Sequence, residues 1–127
     1  MFYKIILNFF IGLLVGFVFE FFYRSIEAKR IIIPRFINCQ IYGLTGAFLI
    51  FLYFLNISLS FKLILIFIFP TLIEFVIGYL YLKTKRVYLW DYSKESFNFM
   101  GLICLRFSLI WFIFAIIYYY LVLPLTV

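Results

Sequence analysis

The chain has 127 residues, 69% of them apolar and 26% aromatic, with a mean hydropathy of +1.21. Soluble domains hold about 45–50% apolar residues, so this composition excludes an ordinary soluble domain and predicts an integral membrane protein. The formal charge of +6 would suggest nucleic acid in a soluble protein. Here the basic residues sit in short segments between apolar runs, where they meet anionic lipid and set topology, so no nucleic-acid partner is expected.

The first apolar run spans about residues 5–23, broken only by Asn8 and Glu20, and at about 1.5 Å per residue it crosses the hydrocarbon layer. A cleaved signal peptide is the competing reading. Positive charge is heavier after the run than before it, and no small-residue cleavage site follows, which argues against cleavage. A basic loop from Arg24 to Asn38, non-helical at Pro34, leads to a second helix over about 41–57. A turn with Asn56, Ser58 and Ser60 precedes a third helix, about 63–82, with Pro70 as an expected kink. After a second basic loop, a fourth helix is expected over about 99–123, ended by Pro124. The fold class is therefore an all-α membrane protein, a single domain over 1–127 with four transmembrane helices.

Lys and Arg are divided unequally between the two sides. Arg24, Lys29, Arg30 and Arg35 fall in one long loop and Lys83, Lys85, Arg86 and Lys94 in the other, against only Lys4 and Lys62 opposite. The positive-inside rule places both long loops in the cytoplasm and both termini outside a multi-pass protein of the cell membrane. Cys39 and Cys104 then lie on the reduced side and are expected to be packing residues, not a disulfide. A faint internal repeat is also visible. Glu20-Phe21 and Glu74-Phe75 each precede a basic loop and then a Gly-Leu pair, at Gly43 and Gly101, which would relate two helical hairpins by an axis along the membrane normal. Chance matching in a biased composition is the alternative.

Ionisable residues inside a membrane are costly and mark candidate sites. Gly12, Gly16, Glu20 and Arg24 share one face of the first helix, a small-residue approach surface ending in an ion pair. Glu74 lies about two turns inside the third helix on the face of Pro70 and Gly78, and Arg106 is the basic residue expected opposite it. Asn98 and Gly101 would extend that polar face along the fourth helix. Asp91 beside Ser93 reads as a turn or cap, Lys94 and Glu95 as solvated loop charges, and Tyr88, Trp90 and Tyr92 as membrane-interface anchors. With no histidine, an imidazole proton shuttle and imidazole-bearing metal sites are excluded, and no metal or cofactor is expected. The chain has no nucleophile beside a base and no nucleotide-binding motif.

Several segments resemble one family of small bacterial membrane proteins. Glu20 to Arg24 (EFFYR), Cys39 to Gly43 (CQIYG), Thr71 to Gly78 (TLIEFVIG) and Trp90 to Trp111 (WDYSKESFNFMGLICLRFSLIW) are similar, in order, to the ABC-transporter type IV permeases of the CmpB-like group. Two departures stand out: Gln40 occupies the position of a proline before the Tyr-Gly motif, after a shortened stretch Phe36 to Asn38, and Tyr81 and Leu82 stand where the family often carries a second acid. The resemblance implies a permease-like membrane protein; with no nucleotide-binding motif in the chain, any ATP-driven role would need a separate subunit.

The leading expectation is a cytoplasm-facing charged cavity for a polar or ionic substrate, lined by Glu20, Arg24, Tyr42, Glu74, Asp91, Asn98 and Arg106. Four thin helices enclose little volume, so a homo-oligomer or a partner membrane subunit is expected within the bilayer. The alternatives are an intramembrane enzyme acting on a lipid headgroup, with Asp91 or Glu74 as acid or base, and a non-catalytic assembly or regulatory subunit.

Overall fold

The computed structural model describes residues 1–127, apart from the side chain of Phe36. Four helices carry the chain: α1 (Phe2–Ala28), α2 (Phe36–Phe54), α3 (Leu59–Lys85) and α4 (Leu105–Ile117). A π turn (Tyr118–Val122) and a 3-10 turn (Leu123–Leu125) continue α4, and Pro124 falls within that last turn. All four segments are long and apolar enough to cross a membrane, so the chain is an all-α, multi-pass membrane protein. Because α1 and α3 have 27 residues each, they run about 40 Å against a hydrocarbon layer of about 30 Å. Their ends therefore emerge, and the apolar runs 5–23 and 63–82 mark only the immersed part.

Local chemistry explains most of the boundaries. Residues 31–35 are extended around Pro34, and α2 starts at Phe36, five residues before the expected 41. Ser58 caps α3 by accepting a hydrogen bond from the Phe61 N–H at 3.4 Å. Lys29 and Arg86 end α1 and α3 in the left-handed conformation usually left to glycine.

The fourth helix departs from expectation: it begins at Leu105, not 99. Asn98–Phe99 (β1) and Ile103–Cys104 (β2) form a short antiparallel hairpin, pairing Asn98 with Cys104 and Phe99 with Ile103. Phe97, Met100 and Gly101 all have positive φ, which no right-handed helix can accommodate. At Gly101, with φ +70°, an added Cβ would also lie 2.7 Å from Ser93 Oγ and 2.9 Å from Asp91 Oδ1, so the turn requires glycine.

Helix α2 occupies the middle of the bundle, touching α1, α3 and α4. Its closest neighbour is α1, which approaches through Gly12 and Gly16. A Cβ at Gly12 would lie 2.4 Å from the Tyr42 carbonyl oxygen, and one at Gly16 only 2.2 Å from the Tyr42 ring. The buried apolar core lies toward the end of the bundle away from the basic loops, where Leu49, Ile50 and Leu52 meet Ile66, Ala115, Tyr118, Tyr119 and Leu123. Polar groups there are paired. Fully buried Asn8 donates to the Lys4 carbonyl at 2.9 Å and to Thr126 Oγ1 at 3.1 Å, and accepts from the Tyr118 hydroxyl at 2.8 Å. Lys62 donates to the Tyr53 carbonyl at 3.2 Å and the Tyr119 hydroxyl at 3.4 Å. Apolar packing and paired polar groups thus dominate this end of the bundle, and the charged opening lies at the other.

Candidate functional site

At the basic-loop end, α1, α2, α4 and the segment before the hairpin surround a hollow of about 280 Å³. Glu20, Glu27, Asp91 and Glu95 line it, four of the chain's five carboxylates, together with the guanidinium groups of Arg24 and Arg106. Both tryptophans, Trp90 and Trp111, and Tyr42 and Tyr92 supply aromatic walls. A protein of net charge +6 has gathered nearly all its acids at one place, which random scatter would not do.

Glu20 is the pivot on α1. Its Oε2 accepts from Arg24 Nε at 2.6 Å, one helical turn on, and its Oε1 accepts from the Tyr42 hydroxyl at 2.9 Å. Gly16 makes the room for the Tyr42 ring, which then meets Trp111 edge to face at 4.7 Å. The four-residue spacing of Gly12, Gly16, Glu20 and Arg24 thus positions Tyr42 as well as the ion pair.

Glu74 stands behind the hollow, 1% exposed, eleven residues or about 16 Å of helix from the end of α3. Its Oε2 accepts from Trp111 Nε1 at 2.8 Å and from the Tyr92 hydroxyl at 3.1 Å, and among the described residues its Oε1 has no partner. The expected pairing of Glu74 with Arg106 is not formed. Because α4 starts at Leu105, Arg106 is its second residue and reaches the aqueous boundary instead of the bundle interior. It pairs with Glu95 at 3.4 Å and lies over the Phe107 ring, its side chain 60% exposed.

The segment before α4 is held by its own side chains. Asp91 Oδ1 accepts from the Ser93 N–H at 2.9 Å and from the Ser93 hydroxyl, an Asx turn, and these bonds hold the Asp91 carboxyl below its ordinary range. Asn98 does not reach the hollow. It locks the loop, donating to the Glu95 carbonyl at 2.9 Å and the Ser93 carbonyl at 3.3 Å, while its Oδ1 accepts from the Gly101 N–H at 3.1 Å. Two of the three expected anchors are likewise internal pegs. Trp90 Nε1 donates to the Leu102 carbonyl at 2.8 Å, with its ring over Gly78, and Tyr92 stacks on Phe107 at 4.8 Å with its hydroxyl on Glu74. Burial, reinforced by the Glu74 carboxyl, pushes the Tyr92 phenol well up, so it remains a donor. Tyr88, bonded to the Met100 carbonyl at 3.3 Å and 43% exposed, keeps the surroundings of an anchor. Cys39 and Cys104 are free and buried, and burial raises the Cys104 thiol.

Of the residues expected at the site, Glu20, Arg24, Tyr42, Asp91 and Arg106 meet in the hollow, Glu74 joins it through Trp111 and Tyr92, and Asn98 stays outside. Sequence reasoning missed Trp111, although an indole N–H within an apolar run must find an acceptor, and it dismissed Glu95. Among the described residues no group of His, Cys, Asp and Glu could hold a metal ion. The arrangement presents paired charges and aromatic faces to whatever enters it.

Over residues 7–127 the chain matches the family described as "Putative ABC-transporter type IV". No curated protein and no solved structure matches it. The chain belongs to that family.

Proposed function

We propose that this member of the ABC-transporter type IV family is a permease-like component whose boundary hollow binds a polar or ionic solute from the cytoplasmic side. The observation that carries this is the gathering of four of five carboxylates around one opening at the basic-loop end, opposite a bundle end built of apolar residues. Glu20, and Glu74 behind the hollow, lie on helices that cross the membrane, where ionisable groups are costly and mark pathways, while Glu27 and Asp91 stand exposed at the rim. The orientation follows from the eight basic residues of the two long loops. The family's transporter character and the lack of any nucleotide-binding motif support energy input from a separate partner subunit.

Glu20 and Arg24 hold the mouth on the α1 side, Tyr42 relays Glu20 to the aromatic wall, and Asp91 and Arg106 form the facing rim. Flux into membrane vesicles from cells expressing the full chain tests this, with labelled tetramethylammonium, acetate and phosphate as probes. Wild-type vesicles should carry at least one probe above vesicles lacking the chain, and Glu20→Gln and Arg106→Gln should each lower that flux at least about tenfold, the scale of losing one interaction with a charged group. Equal flux in wild-type and variant vesicles overturns the proposal.

A further inference from the structure

A second hollow adjoins the first. It measures about 220 Å³ and lies within the bundle between α1, α2 and α4, its α4 wall running from Trp111 to Val122, roughly 16 Å of helix. Gly12, Val15, Leu49 and Ala115 are typical of its walls, which carry no charged residue. The two hollows share Phe19, Tyr42 and Trp111. Each alone falls below the roughly 300 Å³ at which ordinary ligand pockets begin, so a ligand of ordinary size would have to use both.

The charged hollow has a sign. Its four carboxylates face two guanidinium groups, of which Arg24 is taken by Glu20 and Arg106 by Glu95. Among the described residues, no cation lies within ion-pair distance of Glu27 or Asp91. The aromatic faces around them suit a cation with little hydration, which a ring attracts through its quadrupole. The adjoining slot is long, narrow and apolar, and it suits a chain.

From the charged hollow, the apolar slot and their three shared walls, we infer that the ligand is an amphiphile with an ammonium head and a single apolar tail. The head sits between Asp91, Glu27 and the indoles, and the tail passes the ring group of Phe19, Tyr42 and Trp111 into the slot beside Val15 and Ile117. This deepens the permease reading and rests on it for the direction of movement only. Lipid is as apolar as the slot, so the tail gains no net hydrophobic energy there over the bilayer. What the slot supplies is shape and alignment with the head site.

Because both tryptophans line the charged hollow, intrinsic fluorescence of the full chain in lipid nanodiscs reports occupancy directly. The probes are tetramethylammonium, decyltrimethylammonium and decyl sulfate. Decyltrimethylammonium should bind at least about tenfold more tightly than decyl sulfate, the scale of about 1.4 kcal/mol. Val15 and Ile117 are 44% and 46% exposed, so Val15→Phe/Ile117→Phe narrows the slot from its lipid-facing rim without overfilling the core. In that double variant the advantage of decyltrimethylammonium over tetramethylammonium should fall at least about tenfold, a ratio from which membrane partitioning cancels. Equal binding of the sulfate, or an unchanged ratio, overturns the inference. If the slot variant behaves like wild type while Glu20→Gln still lowers solute flux, the amphiphile proposal fails and the permease reading stands. If the titrations behave as expected while flux ignores Glu20 and Arg106, the permease reading fails and the ligand assignment stands.

Discussion

Replacing Gly16 with alanine tests how the first two helices position the site. The added methyl would land 2.2, 2.4 and 2.5 Å from Cγ, Cδ2 and Cβ of Tyr42, where carbon atoms prefer about 3.5–4.0 Å. Those atoms are the root of the ring, not a flexible tip, so either Tyr42 turns away or α1 withdraws from α2. Gly12 resists withdrawal by tilting, because it holds the Tyr42 carbonyl at the same close range. Overpacking of this kind costs about 1–3 kcal/mol, and losing the Tyr42–Glu20 hydrogen bond within the membrane adds about 1 kcal/mol. A total of about 2–4 kcal/mol should appear in unfolding by denaturing detergent from mixed micelles. Tyr42→Gly in the same chain removes all three obstructing atoms, so the double-mutant cycle should return a coupling of about 1–3 kcal/mol. A neutral Gly16→Ala, or additive costs in the cycle, would refute this account of the close approach.

Other perturbations separate structure from binding. Glu74→Gln leaves the Trp111 and Tyr92 donors with a neutral amide oxygen and should destabilise by about 1–3 kcal/mol, with a changed Trp111 emission maximum. Arg106→Gln removes an exposed pair and should cost less than about 1 kcal/mol of stability, while ligand titration at the hollow changes. Asn8→Val strips partners from Tyr118 and Thr126 and should cost about 1–2 kcal/mol, with faster hydrogen exchange near the C-terminus. The Asp91 turn gives a pH signature. Its carboxyl is lowered in the folded protein below the ordinary 3.8, so its contribution is present above that pH and is lost as pH falls through the lower folded value. Protection of the Ser93 amide should therefore persist to below pH 3.8 and then vanish, and Asp91→Asn should remove that dependence.

Helix number was readable because the bilayer selects long apolar runs, and the Gly12, Gly16, Glu20 and Arg24 face because its period is that of a helix. The hairpin was not. Phe97 to Cys104 is as apolar as the helix after it, and only Asn98 and Gly101 hint at the positive-φ turn between its strands. That single misplacement moved the expected start of α4 by six residues, about 9 Å of helix. Arg106 was consequently put inside the bundle, paired with Glu74, and Asn98 on a polar helix face. With the true start, the depth reached by Glu74 is that of Trp111, whose indole bonds it. Glu95 was legible only as a solvated loop charge and Glu27 drew no reading at all, since nothing in a linear sequence distinguishes a solvated acid from one facing a hollow. Trp90 and Tyr92 have the composition of an aromatic belt, and only the fold reveals that the Leu102 carbonyl and Glu74 use their polar atoms.

In the proposed function, a hydrated, charged hollow enters the membrane-spanning bundle from the basic-loop side. Ile110 lines that hollow, whereas its neighbour Leu109 is 46% exposed on the lipid-facing surface and lines neither hollow. In a Cys39→Ala/Cys104→Ala chain, a membrane-impermeant maleimide added on the basic-loop side should label Ile110→Cys readily and leave Leu109→Cys nearly untouched. Equal labelling of the two positions, or an inert Ile110→Cys, would contradict it.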